Sequence, residues 1–278
     1  MELVEVLLEA GAQLEARDEG GSTALIWAAS NGRLKVVNAL TKAGAQLDAR
    51  DVPGNTALMS AADNGQLKVV ETLVKAGAQL EPHDEQGITA LMSASEKGHH
   101  KVVEVLAQAG AQLEAHDVQG NTALMWAAEK GHVNVVEVLV KAGAQLEPCD
   151  ESGITALMSA ADNGRHDVVE VLVNAGAHLE ARNENGERAL MYAAANGHYD
   201  VVKALIKAGA QLEARNENGE RALMYAAANG HLKGVEVLVN AGAQLQARNA
   251  DGETALSFAA DSGHHDVVEI LKRGQSTH

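Results

Sequence analysis

Glycine recurs in this chain with a period of 33. One column runs through Gly21, Gly54, Gly87, Gly120, Gly153, Gly186, Gly219 and Gly252, a second from Gly32 to Gly263 and a third from Gly11 to Gly242; only Gly20, Gly234 and Gly274 stand outside them. A fixed period of this size means that one supersecondary unit is copied along the chain and that each copy buries its apolar surface against its neighbours. A single roughly spherical core would be near its upper size at 278 residues, whereas a linear array has no such limit. Aromatic residues make up only 2% of a chain that is 46% hydrophobic. The core is therefore thin, with small Ala, Val and Leu side chains in close contact.

Residues 117–149 show the unit. Asp117, Gly120 and Asn121 are turn formers, the glycine supplying the positive φ of a tight turn. Thr122 is placed to cap a short apolar helix, ALMWAAEK, which Gly131 ends. A second helix follows His132, and Val135, Val136, Val138, Leu139 and Val140 give it a stripe too broad for one buried face, so helices of both adjacent repeats must cover it. Gly143 stops this helix, and AQLEP reads as an extended return.

The pattern resembles the ankyrin repeat family. Thr-Ala-Leu-Met-x-Ala-Ala, as at Thr122 to Ala128, stands where that family carries Thr-Pro-Leu-His-x-Ala-Ala, with Gly-His, Val-Val-x-x-Leu and Ala-Gly-Ala following at the family spacing. The resemblance covers essentially the whole chain and implies an all-α solenoid of helix-loop-helix units joined by β-hairpin-like turns. The expected organisation is a single domain over 1–278. It comprises a half repeat at 1–17, repeats at 18–50, 51–83, 84–116, 117–149, 150–182, 183–215 and 216–248, and a capping repeat at 249–278. Glu2, Glu5 and Glu9 at one end and Lys272 and Arg273 at the other suit polar caps, so the chain reads as a complete module with a frayed tail from Gln275 to His278.

Two departures from the family stand out. The usual proline is alanine throughout (Ala24, Ala57, Ala90 and onward), which removes a preorganised first turn. The usual histidine is Met59, Met92, Met125, Met158, Met191 or Met224 in most units, which predicts less firmly held loops. Within the array, 183–215 and 216–248 share the run NENGERALMYAAANGH, the mark of copying in pairs. Arg188 and Arg221 there replace the capping threonine, which predicts softer helix starts unless Glu187 and Glu220 compensate. Gly234 occupies a place held elsewhere by buried valine, as in Val69, Val102 and Val135.

Composition excludes several function classes. A formal charge of −16 opposes binding to nucleic acid or to an anionic membrane surface, both of which need clustered Lys and Arg. No window approaches the roughly 18 apolar residues of a membrane span, and the first residues lack the basic start of a signal peptide, so a cytoplasmic setting or a trimmed chain is expected. Cys149 is the only cysteine, so an internal disulfide is excluded. Five of the histidines, His99, His132, His198, His231 and His264, are the Gly-His residues at helix starts, which is a structural pattern, and no metal site or cofactor is expected. With no phosphate-binding loop or nucleophile-base pair, the chain is expected not to be an enzyme.

Function is therefore sought in the residues that change from repeat to repeat. The resemblance implies that turn tips and first helices line a concave face where partners dock. One column there reads Trp27, Ser60, Ser93, Trp126, Ser159, Tyr192, Tyr225 and Phe258, and its tolerance of serine argues that packing alone does not demand the aromatics. Turn tips add Glu85, Glu151, Glu184, Glu187, Glu217 and Glu220, with Ile88, Val118 and Ile154 beside them, while first-helix ends add Asp63, Glu96, Glu129 and Asp162. Arg17, Arg50, His83, His116, Cys149, Arg182, Arg215 and Arg248 precede the turns and are expected to form local ion pairs. These columns lead to the expectation of a monomer that binds another protein with a basic surface, through aromatic anchors on an acidic face. An inhibitor or immunity-type protein that occludes an enzyme, and a structural or engineered scaffold without a native ligand, are the alternatives.

Overall fold

The computed structural model describes residues 6, 7 and 9–275. Among them sixteen helices form eight pairs. The first helices are α1 (Ala24–Ser30), α3 (Ala57–Asp63), α5 (Ala90–Glu96), α7 (Ala123–Lys130), α9 (Ala156–Asp162), α11 (Ala189–Ala195), α13 (Ala222–Ala228) and α15 (Ala255–Asp261). The second helices are α2 (Leu34–Lys42), α4 (Leu67–Ala76), α6 (His100–Gln108), α8 (Val133–Ala142), α10 (His166–Asn174), α12 (Tyr199–Lys207), α14 (Leu232–Asn240) and α16 (His265–Gln275). The described residues form no strands, only isolated antiparallel bridges such as Arg17 with Thr23 and His83 with Thr89 that close the turns. Glu9 is exposed; Glu2, Glu5 and the tail beyond Gln275 lie outside the described residues.

The chain divides into two compact units, 1–127 with 134–145 and 128–133 with 146–278, and the boundary falls inside the repeat at 117–149. In the first unit α1 packs on α3 and α3 on α5, while α2, α4 and α6 stack in a second row. The second unit repeats this arrangement with α9, α11, α13 and α15 in one row and α10, α12, α14 and α16 in the other.

The repeats from 51–83 to 183–215 share a core set that the remaining repeats keep only in part. In 183–215 it is Ala189, Leu190, Met191, Ala193 and Ala194 from α11 with Val201, Val202 and Leu205 from α12. The methionines at the family's histidine position all lie in this core. Six first helices keep a threonine cap: Thr23, Thr56, Thr89, Thr122, Thr155 and Thr254 each accept a backbone N–H three residues on, at 3.2–3.4 Å. Such a cap contributes about 1 kcal/mol.

Three ladders of bonds join neighbouring repeats. The carboxylate of the return segment accepts the backbone N–H 31 residues on, from Glu15 with Gln46 to Glu213 with Gln244, at 2.8–2.9 Å. At the turn tips Val52 donates its N–H to the Gly20 carbonyl, Glu85 to Pro53 and Val118 to Gln86 in the first unit; Glu184, Glu217 and Ala250 do the same in the second. The third ladder starts at the histidines. Nε2 of His99, His198, His231 and His264 donates to carbonyl oxygens of the preceding repeat, at Asp63, Asp162, Ala195 and Ala228, over 2.8–3.0 Å. These four Gly-His residues thus do serve structure, but by bonding backward rather than by capping their own helices. Their rings lie against the preceding glycine: a Cβ on Gly197 would sit 2.5 Å from Nδ1 of His231. With φ of +73° as well, that position admits only glycine.

One column breaks the core rule. Ser95 on α5 is completely buried where other repeats carry alanine, and its hydroxyl has no hydrogen-bond partner among the described residues. An orphaned buried hydroxyl costs about 1–3 kcal/mol. Ser95→Ala is therefore expected to raise the urea midpoint of the chain, and an unchanged or lowered midpoint would show that the hydroxyl is satisfied.

The arginines before the turns behave differently from the expected ion pairs. Arg17 donates to the carbonyls of Gly21 and Arg50, Arg50 to that of His83, and Arg248 to that of Gly252; none of the five makes an ion pair with a carboxylate among the described residues. The reason is geometric. Each opening Asp or Asn turns its Oδ1 inward to accept the N–H groups of its own turn, as Asp84 does from Gln86 and Ile88, and the guanidinium finds carbonyls instead.

Arg188 and Arg221 lack a side-chain cap, as their sequence predicts. They are held in another way. Arg188 Nε pairs with Glu180 at 3.0 Å and Arg221 Nε with Glu213 at 2.9 Å, both arginines largely shielded from solvent. Their Nη1 groups donate to the carbonyls of Arg215 and Arg248. Glu187 and Glu220 take no part in this substitution.

Candidate functional site

The expected partner residues divide between the two units, and each group is described by itself. The first unit holds Trp27, Asp63, Glu85, Ile88, Glu96, Val118 and Trp126. Trp27 is 58% exposed, and its indole N–H donates to Oδ2 of Asp18 at 2.6 Å. That bond, with the backbone N–H of Ser22, holds the Asp18 carboxyl below its ordinary range. Trp126 is half-buried and repeats the contact with Asp117 at 3.1 Å. Both indoles are thus braced against the aspartate that opens their turn. Val118 is 57% exposed at a tip, where its N–H donates to the Gln86 carbonyl of the preceding repeat, and Ile88 is half-buried.

The second unit holds Glu129, Glu151, Ile154, Asp162, Glu184, Glu187, Tyr192, Glu217, Glu220, Tyr225 and Phe258. Here asparagine opens three of the four turns, after Asp150, and tyrosine stands in the aromatic column at 192 and 225. Asn183 Nδ2 donates to the Tyr192 hydroxyl at 2.8 Å and to Glu187 at 2.9 Å. Tyr192 donates to Glu187 at 3.1 Å, and Tyr225 of the next repeat donates to the other oxygen of Glu187 at 2.7 Å. Asn216 completes the chain by donating to Tyr225 and Glu220 at 2.9 and 2.8 Å. Burial alone would raise the Glu187 carboxyl, but the bonds from Tyr225, Asn183 and Tyr192 outweigh it and hold the group below its ordinary value. Both hydroxyls move the opposite way: burial first, then the Glu187 charge and hydrogen bond, push Tyr192 and Tyr225 well above the usual phenol range.

The acids are not equivalent. Glu85, Glu151, Glu184 and Glu217 are exposed at the turn tips and make no ion pair among the described residues. On the first-helix ends, Glu96 pairs with Lys97 at 3.3 Å and Glu129 with Lys130 at 2.7 Å, while Asp162 accepts from Asn196 at 2.8 Å. Asp63 is half-buried beside the carbonyl that receives His99. Glu187 is taken up internally, in contrast to the four exposed tip glutamates.

Sequence reasoning missed the opening Asp or Asn as the residue that orients the aromatic nine positions on. The signal was present: Asp18 and Asp117 accompany tryptophan, which can only donate, whereas Asn183 and Asn216 accompany tyrosine, which can accept their N–H. Phe258 follows Asn249 and leaves this network incomplete. Phe258→Tyr places a hydroxyl where Asn249 can donate to it and Glu220 can accept from it, as in the repeat before. A gain of about 1 kcal/mol in unfolding free energy is expected, and a loss would show that the ring of the last repeat sits out of register.

Among the described residues no three His, Cys, Asp or Glu side chains gather to form a metal site, and no helix is long and apolar enough to cross a membrane. A stacked array of helix pairs whose distinctive side chains stand on turn tips and first helices belongs to the class of helical repeat proteins. The family model for ankyrin repeats (3 copies) matches at residues 1–84, 58–150, 146–216 and 209–277, and the chain belongs to the ankyrin repeat family. Repeats of this family generally serve as protein–protein interaction modules and are typically non-catalytic. No curated protein matches the chain by sequence.

Proposed function

We propose that the chain binds a basic protein surface non-covalently through its turn tips and first helices, with Trp27, Trp126, Tyr192, Tyr225 and Phe258 as anchors. Supporting contacts come from Glu85, Glu151, Glu184 and Glu217. The observation that carries this reading is the combination of unpaired tip carboxylates with aromatic side chains already braced by their own turns. A braced ring loses little freedom on binding, which favours affinity, and unpaired surface charge steers an oppositely charged partner.

The test is a binding series with defined Arg- and Lys-rich peptides. Association is expected to slow by about tenfold or more between low and high salt. Trp27→Ser with Trp126→Ser is expected to weaken binding while keeping the fold, because Ser60, Ser93 and Ser159 occupy the same column. Salt-independent association, or full affinity in the serine variant, would count against the reading.

A further inference from the structure

The two repeats that share NENGERALMYAAANGH place identical glutamates in different surroundings. Glu187 receives two tyrosine hydroxyls, one from its own repeat and one from the next. Glu220 receives only the Asn216 amide, on Oε2, and no donor of the described residues reaches its other oxygen. The cause is a single residue: first helices α13 and α15 pack together, and the aromatic of the following repeat is Phe258, which has no hydroxyl. Half-buried Glu220 therefore keeps an open acceptor oxygen, and Tyr225 and Phe258, on the two packed first helices, are half-buried as well.

Nearby groups narrow what can fill it. Tyr225 has already committed its proton to Glu187, so it can accept but not donate. Asn249 donates one N–H to Glu253 at 3.0 Å and keeps the other, which Asn183 and Asn216 give to a tyrosine hydroxyl. The neighbouring cations are engaged elsewhere, Arg221 with Glu213 and Arg248 with the Gly252 carbonyl. What is left at Glu220 is an unoccupied carboxylate oxygen in the repeat of Tyr225, next to the repeat of Phe258. A ligand for it must carry positive charge, several donors and a flat surface that stacks, a description that fits a guanidinium better than an ammonium.

We infer that the Glu220, Tyr225 and Phe258 cluster takes an arginine side chain of the partner, whose guanidinium supplies the donor that Phe258 lacks and stacks on the flanking rings. This rests on the proposed reading of the second unit as a surface for basic partners. Phe258 is then the residue that selects arginine, because tyrosine at the same place would close the site from within.

The chain contains one phenylalanine, so ring-labelled Phe258 gives a single NMR signal for the test. Titration with an acetylated, amidated Gly-Arg-Gly peptide is expected to shift that signal saturably, and the citrulline analogue, equal in shape but uncharged, is expected to leave it in place. Glu220→Gln should weaken the arginine peptide by about fivefold or more, whereas Glu236→Gln, the same charge change on α14, should not. Calorimetry on Phe258→Tyr should show a comparable weakening. No shift with the arginine peptide, an equal shift with citrulline, or unaltered affinity in Glu220→Gln would overturn the inference. Fluorescence of Trp27 and Trp126 in the series with basic peptides separates the two proposals. Salt-dependent quenching there with a silent Phe258 rejects the arginine site alone, and silence in both rejects the wider reading as well.

Discussion

Replacing Gly234 with valine is expected to raise the melting temperature of the chain by about 5 °C or more. Gly234 is buried in α14, and the matching positions Val69, Val102, Val135, Val168, Val201 and Val267 carry buried valines. Room for a side chain exists, since a Cβ built on Gly234 would meet only the Cβ atoms of Ala226 and His231, both at 3.8 Å. That is ordinary van der Waals contact. Burying a valine contributes about 1.5–3 kcal/mol, and relief of the helix-interior glycine adds a few tenths. The missing side chain makes the repeat at 216–248 the expected weak link of its row, and in a linear array one weak link sets where unfolding starts. Thermal melting with amide exchange on α14 checks this: no change in either would mean that the neighbouring helices have already closed over the site.

Glu213→Ala is expected to destabilise the chain by about 3 kcal/mol. Two losses combine. Glu213 accepts the Gln244 N–H at 2.8 Å through one oxygen and pairs with Arg221 through the other, and Arg221 is only 4% exposed. Removing the carboxylate strands a buried charge, which is the expensive part; part of the cost is relieved because Glu213 itself is 33% exposed and water can enter behind it. Glu81→Ala is the control, since Glu81 makes the same ladder bond to Gln112 but the residue eight positions on is the capping Thr89 rather than an arginine. Its cost should be about 1 kcal/mol. In the double variant Glu213→Ala with Arg221→Thr, the stranded charge is gone and a cap found in six other repeats returns, so stability should recover to about 1 kcal/mol below the parent. Equal losses for Glu81→Ala and Glu213→Ala would show that the Arg221 pair contributes nothing.

The helix pairs, their glycine stops and their threonine caps were legible in the sequence because they depend on residues within a few positions of one another. Bonds between repeats were not. The ladder from Glu81 to the Gln112 backbone joins positions 31 apart, and the histidine ladder joins positions 36 apart; neither spacing equals the period, so alignment by columns hides both. Arg188 and Arg221 read as lost caps for the same reason, since their partners Glu180 and Glu213 belong to the return segment eight residues earlier. Methionine at the family's histidine position suggested looser loops, but the turns are tied to one another by the tip bonds and the carboxylate ladder while the methionines fill the core. In the candidate site the aromatic column was visible, whereas its hydrogen bonds to Asp18, Asp117, Asn183 and Asn216 depend on how the turn folds back over its own helix.

The fit of each histidine ring against the glycine of the preceding repeat bears on how such a chain can lengthen. A copy inserted beside its own template meets a junction of a kind already in use: after duplication of 216–248, the Gly230 of one copy would face the His231 of the next, as Gly197 faces His231 now. A repeat transplanted from elsewhere carries no such guarantee, because Gly32 faces Gln66 and Gly131 faces Arg165 in a different fit. The grammar of the array is thus written at its seams, and it favours growth by stuttering over growth by shuffling.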